Sequence, residues 1–341
     1  LTYLHIRRIF KFRITRHFGL GFVVNNTQKA AIARTLFRQM EDKVEKPYFR
    51  KSYRKWLIFI LLIIVGYIVW TQLTATRGSQ KVSFIPARKS CHASGQLEYC
   101  IYRSASGTNG NVVYHLHGRN LDAQIWNDDT YWTSMVQASW QQSKILPPTV
   151  VVVSYGPTWL LVPKGKKQDS GLLEAFMAQL PDMDKKTGKP RQRLLLGESM
   201  GGLNVLIAGL NYPQSFTKIA SLCPGVYAIS PFASFSAMKA IFERTGGDPQ
   251  IGFGIWLLAK NYVADEREWR RISPLDLVKQ ADEKYPALYI SNGLYDAYGN
   301  FEGSQMLANE AARRGVSVEW HPLYGGHCAI DVPSLARFLA T

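Results

Sequence analysis

The segment Arg191–Gly202, RQRLLLGESMGG, restricts the possible folds more than any other stretch of the chain. Leu194, Leu195 and Leu196 form a continuous apolar run, the kind buried on both faces of a parallel sheet. The run stops at Gly197-Glu198-Ser199-Met200-Gly201-Gly202, and a helical pattern follows over 200–211. A serine on a sharp strand-to-helix turn needs small neighbours. The glycines let the backbone turn tightly and keep side chains away from the hydroxyl. The turn puts Ser199 Oγ at a helix N-terminus, where backbone N–H groups and the helix dipole favour developing negative charge. Strand, G-x-S-x-G and helix in this order predict a nucleophilic serine.

The surrounding pattern predicts an α/β sheet, mostly parallel, with helices on both faces. VSFIPA (82–87) and LEYCIYR (97–103) read as paired strands, followed by NVVYHLH (111–117) and TVVVVSY (149–155). KIASLC (218–223), ALYISNG (287–293) and SVEWHP (317–322) are further strands. Helices are expected near 128–142, 169–180, 200–211 and 301–314 and from about 332. A mostly helical insertion runs from about 231 to 280, where it should help shape the pocket.

A serine hydroxyl is a weak nucleophile and needs a base oriented by an acid. Where a G-x-S-x-G turn carries the nucleophile, the chain order is serine, acid, histidine. Only His321 and His327 follow Ser199. His327, in the glycine-flanked loop YGGHCAI after the last strand, is the expected base. His321 ends that strand between Trp320 and Pro322. The acid is expected after ALYIS, where NGLYDAYGN offers Asp296; Glu302 and Asp331 are the fallbacks. An oxyanion hole needs two N–H donors. Met200 N–H is the first; the second is Arg119 N–H, or alternatively Gly118 N–H, in the loop after VVYHLH. His117 reads as structural.

GESMGG, the LHG segment, NGLYD and GGH, in this order and spacing, resemble the α/β-hydrolase superfamily. Within it they resemble the esterase group that holds esterase D-type, feruloyl and enterochelin esterases. The resemblance covers roughly residues 82–341. It implies an α/β-hydrolase fold, a Ser199–His327–Asp296 triad, acyl-enzyme chemistry, no cofactor and no metal. The segment after Gly118 lacks the multi-glycine run of many lipases. The substrate is expected to be a small-molecule, polysaccharide or lipid ester. An acyltransferase using the same triad and a non-catalytic hydrolase-like binding module are the rival readings. The oligomeric state stays open.

Charge and hydropathy organise the N-terminus. The 341 residues carry 41 Lys+Arg and 25 Asp+Glu, a net of +16, of which residues 1–55 hold 14 against 3. So local an excess disfavours a uniformly basic nucleic-acid binder, and no helix-turn-helix or zinc spacing suggests one. Trp56–Trp70, WLIFILLIIVGYIVW, is uncharged, with Thr71–Leu73 extending it weakly. Eighteen helical residues span roughly 27 Å, close to the hydrocarbon core of about 30 Å. Residues 56–73 are therefore expected to be a transmembrane signal anchor, with 74–81 a linker and 82–341 the catalytic domain. Lys51, Arg54 and Lys55 abut one end, which predicts a cytoplasmic N-terminus and a catalytic domain in the periplasm or outside the cell. Cleavage at Ala75, releasing a secreted domain, is the competing expectation. The basic tail 1–55 has two readings. Residues 1–39, with 8 Lys/Arg and no acid, are either an artefact of start-site assignment before Met40 or a solvated arm drawn to anionic lipid.

Four cysteines are too few for a disulfide-built scaffold. Cys91 and Cys100 are either a hairpin-closing pair or free thiols. Cys223 and Cys328 fall on one edge of the expected sheet, so a second bridge is conceivable. A zinc site from Cys91, His92 and Cys100 lacks a nearby fourth ligand. Trp126 and Trp159 are candidate cleft residues, Trp132 and Trp140 packing residues. Lys164, Lys166 and Lys167 read as a solvated loop.

Overall fold

The structure, a computed structural model, describes residues 47–74, 82–95, 97–156 and 160–341. The readings of residues 1–39, of most of the linker and of Trp159 fall outside the described residues. The chain divides into two units between Arg77 and Gly78.

The first unit contains helix α1, Pro47–Thr74. Proline suits the first helical turn, where its missing N–H has no partner to lose. Within α1, Tyr53–Leu73 has a mean hydropathy of 2.3 and is long and apolar enough to cross a membrane, by length and composition. Its 21 residues span about 32 Å. The helix begins nine residues before Trp56, so the basic flank Lys51–Lys55 is itself helical.

The second unit is built on an eight-stranded sheet in the order β1-β2-β4-β3-β5-β6-β7-β8. The strands are β1 (Arg88–Ser94), β2 (Leu97–Arg103), β3 (Val112–Leu116), β4 (Thr149–Ser154), β5 (Arg193–Glu198), β6 (Lys218–Leu222), β7 (Ala287–Gly293) and β8 (Val318–Leu323). β1 and β2 are antiparallel additions at one edge; β4 through β8 run parallel. The interior strands are apolar throughout because both faces are covered. Successive side chains go to opposite cores. Val113, Val150 and Leu194 join one cluster with Trp140 and Phe338, while Tyr114, Val151 and Leu195 join the other with Phe176 and Leu206.

The helices of the second unit are α2 (Trp132–Gln142), α3 (Leu172–Thr187), α4 (Met200–Asn211), α5 (Phe235–Thr245), α6 (Pro249–Tyr262), α7 (Glu266–Arg270), α8 (Pro274–Leu277), α9 (Phe301–Arg313) and α10 (Val332–Ala340). The stretch after β6 comprises α5 to α8. Helix α3 runs past the expected end at 180 and carries Pro181 inside it.

The first strand is the main correction. Residues 82–87 are not a strand; β1 starts at Arg88. Helix α2 takes up the backbone groups that a ladder would have used. Gln141 accepts from Ile85 N–H at 2.9 Å and donates to Ile85 C=O at 2.8 Å, and Gln137 accepts from Ala87 N–H at 3.3 Å. The strand lies instead in the polar RKSCHAS, where Cys91 pairs opposite Cys100 and a disulfide joins them.

Candidate active site

The sheet order decides what can meet at its C-terminal edge. β3 pairs with β5, Leu116 standing opposite Gly197. The loop leaving β3 therefore lies beside the turn leaving β5, at the point where the strand order changes direction. β6, β7 and β8 follow in sequence, so the exits of β7 and β8 approach the same turn.

That turn holds Ser199 at φ 57° and ψ −116°, a conformation that side chains disfavour. The neighbouring glycines 197, 201 and 202 do not share the positive φ. Their role is close packing. A Cβ on Gly201 would overlap the carbonyl oxygen of Leu116, one on Gly197 would overlap that of Gly201, and one on Gly202 would lie 2.7 Å from that of Leu222. The turn is thus clamped between β3 and β6. The strained angle falls on the serine itself, and Ser199 N–H donates to Leu222 C=O at 2.8 Å.

Ser199 Oγ is 2.9 Å from His327 Nε2. The other ring nitrogen, Nδ1, is 3.1 and 3.0 Å from the two carboxylate oxygens of Asp296. Asp296 is 4 % exposed, and its carboxylate also accepts the Tyr298 N–H at 2.8 Å. The Tyr298 ring lies 4.1 Å from the imidazole. The structure does not bring the other candidates here. His321 stacks on Tyr289 at 4.3 Å, Glu302 pairs with Arg244 at 2.8 Å, and Asp331 caps α10 by accepting from Ser334 N–H.

The histidine loop is tied down covalently. Cys328, next to His327, is disulfide-bonded to Cys223 at the exit of β6. The sulfurs of Cys223 and Cys328 and an imidazole nitrogen of His327 lie within 4.8 Å of one another. Since the two sulfurs are bonded to each other and the imidazole faces Ser199 and Asp296, this group is not available as a metal site.

Of the two N–H groups considered in the loop after β3, that of Gly118 has a partner within the protein. Its N–H donates to Glu198 Oε1 at 2.8 Å. Arg119, Ser199 and Met200 line a common cavity.

Glu198, the variable residue of the motif, was not anticipated as a functional residue. It is 1 % exposed. Its Oε2 lies 2.6 Å from His115 Nε2, and its Oε1 also accepts from Tyr131 Oη at 3.1 Å. Trp126 and Trp132 meet the His115 ring edge-on, both at 5.7 Å. His117 stacks on Tyr155 at 5.0 Å, and Tyr155 Oη donates to the His117 carbonyl at 2.7 Å. Burial holds the His117 imidazole below its ordinary pKa, partly offset by its bond to the Gly118 carbonyl. The sequence did carry a signal for this network, two histidines in an otherwise apolar strand, VVYHLH.

Two further expectations change. Trp126 is 1 % exposed and packs on Trp140 at 6.1 Å; it belongs to the core and does not line the cavity that holds Ser199. Trp140 packs as expected and donates to Ala336 C=O at 2.7 Å. The basic loop is more than solvated, because Lys166 N–H donates to Glu268 at 2.9 Å and Lys166 Nζ pairs with Asp265.

A family model described as "Putative esterase" matches residues 96–327. No curated protein matches the chain. Among solved structures, an arylesterase is 20% identical, with 86% of this chain and 95% of its own covered at a TM-score of 0.51. A ferulic acid esterase is 16% identical, covering 74% and 95% at 0.52. An S-formylglutathione hydrolase from Agrobacterium tumefaciens is 15% identical, covering 76% and 95% at 0.51. These likenesses are likenesses of fold.

Replacing Glu198 with alanine strands the buried His115 imidazole and Gly118 N–H and the partly buried Tyr131 hydroxyl. Glu198→Ala is expected to lower unfolding free energy by about 3 kcal/mol, read from the urea midpoint.

Proposed function

Because the chain belongs to the family described as Putative esterase, and is with it a carboxylic ester hydrolase, we propose that it works through an acyl-enzyme on Ser199. The observation that carries this reading is the unbroken chain of contacts from Ser199 Oγ through His327 to Asp296. Ser199 Oγ attacks the ester carbonyl carbon while His327 Nε2 takes the hydroxyl proton. Asp296, buried against Nδ1, fixes the tautomer that leaves Nε2 free to accept and stabilises the imidazolium that results. The tetrahedral oxyanion is held by the N–H groups of Met200 and Arg119. As the carbon–oxygen bond to the alcohol breaks, His327 returns the proton to the leaving oxygen. Water then attacks the acyl-enzyme, giving up its proton to His327, and the acid departs as Ser199 recovers its own.

The proposed setting is a membrane. The span in α1 is read as an uncleaved anchor, with the charges Lys51, Arg54 and Lys55 holding the N-terminal side in the cytoplasm. Two disulfides in the hydrolase unit support a location in an oxidising compartment on the far side.

Ser199→Ala is expected to reduce turnover of p-nitrophenyl acetate by at least a thousandfold while leaving the thermal unfolding midpoint within a few degrees of the parent. Activity retained in that variant would remove Ser199 from the reaction. For the topology, a C-terminal alkaline phosphatase fusion in a bacterial host is expected to be active and the matching green fluorescent protein fusion dark. The reverse pattern would place the hydrolase unit in the cytoplasm.

A further inference from the structure

The cavity shared by Ser199, Met200 and Arg119 has a volume of about 530 Å³. The insertion supplies most of its wall. Met238 and Ile241 on α5 contribute, as do Ile251, Ile255, Trp256 and Leu258 on α6. Among the described residues that line it, Arg119 carries the only charge. An apolar lining with a few fixed polar points is the make-up of a site that encloses a sizeable apolar group.

The outer surface of the same helices continues this character. Phe235, Phe253 and Leu257 are 67%, 41% and 47% exposed. The Phe253 ring stacks on Trp256 at 5.4 Å and meets Phe235 edge-on at 6.5 Å. Trp256 is also a wall of the cavity, so an apolar track runs from the surface to the chamber that holds Ser199. Lys260 lies over the Trp256 ring at 3.8 Å.

We propose that this cavity binds the acyl chain of a medium- to long-chain ester of the lipid class. An acetyl group would leave nearly all of such a chamber unfilled. A polysaccharide ester would set sugar hydroxyls against isoleucine and methionine. The proposal rests on Ser199 as the nucleophile and adds the identity of what it receives.

The test uses the full chain in lipid nanodiscs, with p-nitrophenyl acetate, butyrate and octanoate. A fully buried methylene strengthens binding about fourfold. With only part of the chain enclosed, kcat/KM is expected to rise at least tenfold from acetate to octanoate. Gly254 lines the cavity on α6, and a Cβ there would meet nothing within 4 Å. Gly254→Phe is therefore expected to lower the octanoate-to-acetate ratio at least threefold. Partition of the esters into the nanodisc is common to both proteins and cancels in that comparison. A parent ratio at or below one, with acetate turned over, overturns the proposal. A high ratio that Gly254→Phe leaves unchanged also overturns it, by placing the chain elsewhere. If no ester is turned over at all, the assignment of Ser199 fails, and the proposal with it.

Discussion

The contact between α4 and β3 governs the site. Gly201, the second residue of α4, packs so closely on the Leu116 carbonyl that no side chain fits between them. This approach allows β5 to end in a turn with Ser199 at a positive φ, and it brings the loop 117–120 alongside. Strain of this kind costs on the order of 1–3 kcal/mol and persists only where its surroundings over-determine it. Here the surroundings are the glycines, the bond from Ser199 N–H to Leu222 and the Glu198 carboxylate. Glu198 reaches across the same gap, so one buried side chain holds both the residue before the nucleophile and the loop that carries Arg119.

The histidine is held from the opposite side by a different device. Its loop leaves the last strand, at the margin of the sheet, where packing is least complete. The Cys223–Cys328 disulfide, linking residues 105 apart, ties that loop to the exit of β6. In the chain-entropy view a loop of such length is worth roughly 4–5 kcal/mol, model-dependent. Its local effect matters more for the site, since it acts on the residue beside His327. Asp296 completes the restraint, buried and bonded both to the imidazole and to its own turn.

Much of this was legible in the sequence, for a physical reason. β3 to β7 are buried on both faces, so they appear as apolar runs, and the residues that follow each run mark the site. Ser199, Asp296 and His327 all follow such runs or the strand after them. β1 was not legible, because an edge strand facing solvent carries no apolar signature and its neighbour VSFIPA resembled a strand better. Gln137 and Gln141 occupy backbone groups of Ile85 and Ala87, a long-range contact that no sequence period signals. The role of Glu198 was hidden as well. Its motif position admits any residue, and only the pairing of β3 with β5 puts it against His115 and Gly118. Trp126 misled because an aromatic near a strand exit serves a cleft or a core equally well, and its neighbours Trp140 and His115 decide for the core.

The central claim is that this clamped turn makes Ser199 a nucleophile with His327 as its base. The most direct measurement is covalent labelling by a fluorophosphonate, followed by mass analysis of the digested protein. One adduct is predicted, on the peptide that contains Ser199, with labelling strongly slowed in His327→Ala. An adduct on another residue, no adduct at all, or labelling indifferent to His327 would contradict the account.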